Sequence, residues 1–290
     1  MHRFKAMASP CALHLPASHP QRDSVAEAIE AEVRRIEQKY SRYRDDSALS
    51  QINRSAGQPL TVDAETAALI GYSRECFSQS DGRFDISSGV LRQAWNFREP
   101  RLPSEAALAP LLARIGLQKL SLKGDQLHMP EDMELDLGGI GKEYAADAAA
   151  AVARRYGISW GIIDLGGDLH VIGPRPDDSR GAPWMLGVRH PREHERAIAS
   201  LPVMQGGMAT SGDYERFFEL DGQRYCHLLN PQTGYPVSYW ASVTVVAPTC
   251  LLAGTLSSIA MLREATAEEW LREQELPGLM IRPDLTLVSF

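Results

Sequence analysis

Short strand-like segments joined by glycine-containing turns constrain the fold of this 290-residue chain more than any other feature. From about residue 117 onward the pattern is strand-like, and LQKLSLKGDQLHMP and RFFELDGQRYCHLL are typical of hairpins with turns at Lys123–Asp125 and Asp221–Gly222. Helical segments interrupt the strands at irregular intervals. We therefore predict an α+β architecture, with mixed or antiparallel sheets and flanking helices, rather than a regular doubly wound sheet.

The first part of the chain has helical patterning. Residues 24–43 carry apolar side chains at helical spacing with charged residues between them, which predicts an amphipathic helix. The segments 64–82 and 104–116 predict two more helices, separated by a turn-rich stretch at 82–97. A glycine-bounded helix follows at 138–157. The apolar positions of the first helix are Val25, Ile29, Val33 and Ile36.

Composition excludes some classes of protein. The net charge of -7 argues against a nucleic-acid-binding surface, and no apolar run approaches the roughly 20 residues of a membrane helix. No hydrophobic region precedes Cys11, so the chain as given is expected to be cytoplasmic; an upstream signal outside it would make the protein periplasmic or membrane-anchored. The cysteines form no CxxC pair and are expected to be buried thiols: Cys11, Cys76, Cys226 and Cys250.

A glycine-rich turn is a candidate anion site. Gly138, Gly139 and Gly141 lie between a strand end and a helix start, with Lys142 in the first helical turn. Free backbone N–H groups and one lysine are suited to a phosphate. Glu143 follows the lysine, so this is not a Walker A loop. By itself the pattern fits a phosphate site and a simple tight connection equally well.

Two further segments carry polar side chains beside glycines. Thr210 and Ser211 could donate hydrogen bonds to an anionic oxygen, while Asp213 fits a cap or a binding role. In DLGGDLHVIG, Asp164 and Asp168 fit ordinary turn composition better than a ligand site.

Two histidine segments remain. His227 ends a strand just before NPQTGYP, where a side chain is held rigidly and can serve as a proton carrier or as a structural group. His190 and His194 lie in a charged segment that we interpret as an exposed turn without a metal site.

Taken in order, these segments resemble the ApbE family of FAD:protein FMN transferases. The resemblance spans nearly the whole chain, and HxxxPxTGxP is intact. It rests on FKAMASP, YSRYRDDSALSQIN, GRFDISSG followed by AWNF, LDLGGIGKEYAAD, IDLGGDLHVIG, MATSGDYERFF, YCHLLNPQTGYPV and SVTVVAPTCLLAGTLSSIAML.

The resemblance implies one catalytic α+β domain over residues 1–290 that binds FAD with Mg²⁺. It would transfer FMN to a threonine or serine hydroxyl of an acceptor flavoprotein and release AMP. His227 would be the base. The implied FAD-binding residues are Met7, Tyr43, Asp136, Lys142, Leu228, Thr210 and Ser211, and in the altered FDISSG segment Asp85 and Ser87.

The implied metal site departs from the family pattern. The resemblance points to the Gly139 carbonyl, Ser257 and Ser258 as ligands, but the position where the family usually carries a ligating aspartate is Gly254. Mg²⁺ prefers carboxylate oxygen, so another acid would have to reach the site. Asp164 and Asp168 are candidates for it.

The departure leaves three functions open. The first is an active FMN transferase, and the second is an FAD-binding protein that lacks transferase activity because of Gly254. The third is a metal-dependent FAD pyrophosphatase, which would depend even more strongly on the metal.

Overall fold

An eight-stranded antiparallel sheet forms the centre of the structure, a computed structural model that describes residues 1–55, 57–176, 181–193 and 195–290. Its strands, in spatial order, are β1 (His2–Ala6), β2 (Ser9–His14), β6 (Gly161–Leu165), β7 (Asp168–Gly173), β10 (Gly206–Gly212), β13 (Ser242–Ala247), β14 (Gly278–Ile281) and β15 (Leu287–Ser289). Every neighbouring pair in this sheet is antiparallel. The α+β prediction is therefore confirmed.

Smaller sheets surround the central one. A three-stranded sheet and two separate hairpins comprise β3 (Leu60–Thr61), β4 (Ser121–Lys123), β5 (Gln126–His128), β8 (Trp184–Arg189), β9 (Ala197–Val203), β11 (Phe217–Leu220) and β12 (Gln223–Cys226). The predicted turns after Lys123 and at Asp221–Gly222 join β4 to β5 and β11 to β12. The chain ends in a further hairpin, in which the Asp284 carboxylate accepts a hydrogen bond from Thr286 N–H at the turn between β14 and β15.

The helices lie against the sheet. They are α1 (Arg22–Tyr40), α2 (Ala48–Asn53), α3 (Ala64–Gln79), α4 (Glu105–Arg114), α5 (Gly141–Arg155), α6 (Cys250–Arg263) and α7 (Ala267–Glu273). Helix α5 contacts α1, α6 and β7, and α6 covers β10 and β13. The two helices that carry the glycine-lysine turn and the serine pair are therefore neighbours. None of the described helices is both long and apolar enough to cross a bilayer.

The amphipathic pattern of α1 explains its position. Its four predicted apolar positions, Val25, Ile29, Val33 and Ile36, have no measurable exposure. Burial of an aliphatic side chain of this size stabilises a fold by about 1.5–3 kcal/mol. An aspartate at position 33 would put an unpaired charge into this core and break the packing.

Helix boundaries follow from local hydrogen bonds. Helix α1 ends at Tyr40, earlier than the predicted residue 43, because Ser41 is extended, and Tyr43 therefore lies in a loop. Helix α3 begins after Asp63, whose carboxylate accepts from Thr66 N–H at 2.8 Å. The turn-rich stretch at 82–97 contains a 3-10 helix over Ile86–Gln93.

Candidate functional site

The glycine-lysine turn lies at the start of α5. Gly138 and Gly139 are exposed and precede the helix. The Asp136 carboxylate accepts a hydrogen bond from Gly138 N–H at 2.9 Å and holds this turn. No side chain caps the helix at Ile140. An uncapped, glycine-lined helix start is a favourable place for an anion.

Lys142 extends from the first turn of α5 to the central sheet, where it forms an ion pair with Asp168 of β7. Burial alone would lower the pKa of Lys142, but the Asp168 and Glu143 carboxylates outweigh burial and hold this pKa above its usual value. Lys142 is therefore a permanent cation at neutral pH. Asp168, a candidate metal ligand from the sequence, is instead the ion-pair partner of Lys142.

Three serine hydroxyls meet where α6 crosses β10. The Ser211 Oγ atom lies 2.8 Å from Ser257 Oγ and 2.9 Å from Ser258 Oγ. Ser257 Oγ also donates to the Gly254 carbonyl at 2.9 Å. The fold thus joins Ser211 with both serines of the implied metal site, and we refer to Ser211, Ser257 and Ser258 as the serine cluster.

Thr210 faces the other side of the sheet. Its hydroxyl lies 2.8 Å from the Thr244 hydroxyl on β13, whereas Ser211 contacts α6. Successive side chains of a strand point to opposite faces, so these two hydroxyls cannot line one cavity. The geometry therefore does not support the expectation that the Thr210 side chain joins Ser211 at a pyrophosphate, as strand alternation could have revealed from the sequence; for Ser211 that role stays a prediction.

Glu143 is a site residue that the sequence interpretation missed. It follows Lys142 on α5, is 7% exposed, and its Oε2 atom has no hydrogen-bond partner in the described part of the chain. A Cβ atom added to Gly254 would lie 2.5 Å from Glu143 Cγ and 2.9 Å from Oε1. Burial first, and then the nearby Asp168 carboxylate, raise the pKa of Glu143 to about 8.

His227 lies just after β12 and is partly exposed. Its backbone N–H donates to the Arg216 carbonyl at 3.0 Å. The ring atom Nδ1 is buried, and none of the described residues offers it a hydrogen bond. Burial, then the charges of Arg216 and Lys142, lower the pKa of His227 to about 4. The ring is therefore neutral at pH 7 and close enough to Lys142 to respond to its charge.

Cationic side chains surround Tyr43, which is 78% exposed. The Arg42 guanidinium donates to the Tyr43 hydroxyl at 2.8 Å and forms an ion pair with Asp136. This hydrogen bond, followed by the charges of Arg42, Arg216 and Arg92, lowers the pKa of Tyr43. Since Arg216 also acts on His227, it links the Tyr43 loop electrostatically to the end of β12. The arginines are further residues that the motifs did not identify.

Met7 lies beside the start of α5, and Leu228 lies directly after His227. Met7 has a positive φ of 51° and its N–H donates to Glu37 Oε1 at 2.6 Å. The Met7 methyl group lies 3.7 Å from where a Gly141 Cβ would be, which places Met7 at the start of α5. Leu228 follows His227 and its carbonyl accepts from Val237 N–H at 3.0 Å.

Asp85 and Ser87 are committed to internal hydrogen bonds. The buried Asp85 carboxylate accepts from Ser87 N–H, Ser87 Oγ and Leu117 N–H at 2.7–3.1 Å. Between them, the Ile86 carbonyl accepts from Asp136 N–H at 2.7 Å. This geometry does not support direct contacts from Asp85 and Ser87 to FAD. The loop that these two residues hold instead contacts Asp136 through the Ile86 carbonyl.

Other candidate acids have structural partners. Asp164 accepts from Gly167 N–H in the β6–β7 turn at 2.8 Å. Asp213 is not a helix cap; it forms a two-pronged ion pair with Arg192 at 2.6 and 2.9 Å. The Asp213 carboxylate is thus fully engaged, and Asp164 uses one oxygen to hold the β6–β7 turn.

The segment around His190 differs from the expected exposed turn. His190 is only 4% exposed, because its Nδ1 accepts hydrogen bonds from the N–H groups of Arg192 and Glu193. His194 lies outside the described residues. The four cysteines are buried free thiols, as expected.

The implied Mg²⁺ can be tested against the donors present. No three His, Cys, Asp or Glu side chains of the described ranges are grouped as a preformed metal centre. Mg²⁺, however, commonly uses one or two carboxylates together with waters and substrate phosphates. A buried carboxylate oxygen without a partner, packed against the helix that carries Ser257 and Ser258, fits this mixed set of donors.

The fold and these side chains together define an α+β protein whose candidate ligand site comprises a helix start, a serine cluster and a strand-end histidine. The ApbE family model matches residues 7–280. The chain belongs to the ApbE family.

Named relatives and a solved structure agree with this assignment. A protein of Escherichia coli K12 named FAD:protein FMN transferase is 32% identical over 268 residues, covering 88% of this chain and 76% of the relative. One of the same name from Salmonella typhimurium is 34% identical, with 83% and 72% coverage. The crystal structure of the ApbE protein of Thermotoga maritima superposes with a TM-score of 0.90 at 29% identity, covering 99% of this chain and 95% of that one.

Proposed function

We propose that this chain is an FAD:protein FMN transferase that acts as a single catalytic domain. It transfers FMN from FAD to a threonine or serine hydroxyl of an acceptor flavoprotein and releases AMP. The observation that carries the proposal is the neutral His227 ring, with an unpartnered Nδ1 atom, within the electrostatic reach of Lys142. The names and coverage of the relatives support the same reaction.

The chemistry requires a base and charge relief. The acceptor oxygen bonds to the phosphorus of the FMN half, its proton moves to His227, and the bond between that phosphorus and the bridging oxygen breaks, so that AMP leaves with the oxygen. A hydroxyl is a poor nucleophile at neutral pH, and a positioned base typically contributes about 10²- to 10⁴-fold. Lys142 and the uncapped start of α5 lie where they can offset the negative charge of the phosphates.

The binding roles rest on the family resemblance, and the placement of the side chains supports them. Met7, Tyr43 and Leu228 are assigned to the flavin half, since they lie beside the start of α5, in the arginine-rich loop and next to His227. Asp136 orients Arg42 and the glycine turn. Ser257, Ser258 and the Gly139 carbonyl are assigned to Mg²⁺, which when bound would neutralise phosphate charge.

The alternative, an FAD carrier without transferase activity, rests on Gly254. It requires that no acid replaces the aspartate that the family usually carries at that position. Glu143 lies against Gly254 and weakens this alternative.

The direct test is to incubate the protein with FAD, MgCl₂ and a flavoprotein acceptor that carries the target threonine. We expect intact-protein mass spectrometry to show the acceptor heavier by one FMN moiety and chromatography to show AMP. The control is an acceptor with the threonine replaced by valine. Tight FAD binding with an unmodified acceptor would favour the carrier, and AMP without modified acceptor would favour the pyrophosphatase.

A further inference from the structure

Glu143 is a buried acid with one carboxylate oxygen that has no partner. It is 7% exposed, and the described residues provide neither a hydrogen bond nor a salt bridge for Oε2. Its sequence neighbour Lys142 is engaged with Asp168. An unpaired buried carboxylate is costly to fold around, so its presence indicates a ligand that the fold is built to receive.

The space around Glu143 depends on a glycine of the adjacent helix. A Cβ atom at position 254 would lie 2.5–3.0 Å from three atoms of the Glu143 side chain, closer than real contacts allow. Glu143 therefore occupies the volume into which any side chain at position 254 would extend. The carboxylate comes from α5 because α6 has none here.

The same face of α6 carries two members of the serine cluster, Ser257 and Ser258. Gly254, Ser257 and Ser258 are three and four residues apart, so they share one face of the helix. The Ser257 hydroxyl donates to the Gly254 carbonyl and meets Ser211 at 2.8 Å. Neutral hydroxyl oxygens beside one carboxylate form a donor set for a hard divalent cation.

We propose that Glu143 is the carboxylate ligand of a divalent cation at the serine cluster, and that Gly254 provides the space for it. Relative to the pattern implied by the family resemblance, the acid lies on α5 at position 143 instead of on α6 at position 254, where this chain has glycine. This inference deepens the proposed function and rests on it, because the cation would serve the phosphates of FAD.

The first test measures Mn²⁺ binding by electron paramagnetic resonance, with and without FAD. Glu143→Gln should weaken Mn²⁺ binding by at least about tenfold, whereas Glu75→Gln, at an exposed acid of α3, should not change it. The metal-free melting temperature of Glu143→Gln should be unchanged or higher, because a buried acid with an unpartnered oxygen is replaced by an uncharged amide of nearly the same shape. A purely structural glutamate would instead lose stability and leave Mn²⁺ binding intact.

The second test exchanges the two positions. Gly254→Asp alone should lower the melting temperature without improving Mn²⁺ binding, since the new side chain collides with Glu143. Glu143→Ala alone should lose Mn²⁺ binding, and the double variant Glu143→Ala/Gly254→Asp should recover it to within about threefold. This recovery would be strong coupling between neighbouring sites.

Three outcomes overturn the inference: a wild-type protein that binds no Mn²⁺ in either condition, unchanged binding in Glu143→Gln, or a double variant that binds no better than Glu143→Ala. FMN transfer is measured in parallel on the same samples. If FMN transfer persists and Mn²⁺ binding is unchanged in the Glu143 variants, only this inference is rejected. Mn²⁺ binding that depends on Glu143 without any transfer rejects only the proposed function.

Discussion

At the scale of single residues, the protonation states around His227 decide what the site can do. The fold holds the ring neutral by burial and by the charges of Arg216 and Lys142. The phosphates of a bound dinucleotide would oppose those cations and raise the pKa of His227 toward neutrality, where a general base is most effective. In the free protein the His227 ring is therefore unprotonated at neutral pH.

His227 also makes stability depend on pH. Its folded pKa, about 4, lies below the ordinary value of 6.5. The unfolded chain therefore binds the proton first, and folding stability is lost as pH falls from 6.5 toward 4. We expect His227→Asn to remove part of this loss, measured by urea unfolding at pH 7.5, 6 and 4.5 without FAD. An identical decline in both proteins would mean that the ring titrates normally.

At the scale of helices and strands, α6 is the element that assembles the site. Its first turn is capped from α5, because the Asp147 carboxylate accepts from Cys250 N–H and Leu251 N–H at 2.8 and 2.9 Å and contacts His170. This contact fixes α6 against α5 and so fixes Gly254 against Glu143. The serine cluster depends on the same alignment.

Loss of this cap should therefore affect the whole site. We expect Asp147→Ala to destabilise the protein by about 1–3 kcal/mol, because two helix N–H groups and His170 lose their acceptor. Urea unfolding measures this, with Glu75→Gln as an exposed control. Stability equal to that of the control would show that α6 is held by its apolar face alone.

How far the sequence predicts these elements depends on the range of the interactions. The periodicity of α1 identifies Val25 and Ile29 as core residues, because helix packing follows a local pattern. The internal role of Asp85 depends on Leu117, and the role of Glu143 depends on Gly254. Such contacts between distant segments leave no local signal, so the sequence identified the glycine and not the acid that fills its space.

At the scale of the whole molecule, several cationic side chains lie close together although the chain is acidic overall. The chain carries a net charge of -7, yet Arg42, Arg92 and Arg216 act together on one exposed tyrosine, and Lys142 acts on His227. Arg42, Arg92 and Lys142 each pair with a carboxylate, so these cations supply hydrogen-bond donors for a small anion without forming a broad basic surface that would suit nucleic acid. The arrangement suits a dinucleotide.

Ligand binding should therefore stabilise the protein in proportion to phosphate content. At 100 times its dissociation constant a ligand adds about 2.7 kcal/mol, which raises the melting temperature by several degrees for a protein of this size. At equal ligand concentration we expect the melting temperature to rise most with FAD, less with FMN and least with riboflavin. Equal shifts for FAD and riboflavin would show that the Lys142 region does not hold phosphates.

The most direct test of the account is a single-turnover measurement of FMN transfer with excess enzyme preloaded with FAD and Mg²⁺. We expect His227→Ala to slow the appearance of FMN-modified acceptor by about 10²- to 10⁴-fold while flavin fluorescence shows FAD still bound. Transfer at the wild-type rate in His227→Ala would contradict it and remove the imidazole from the reaction.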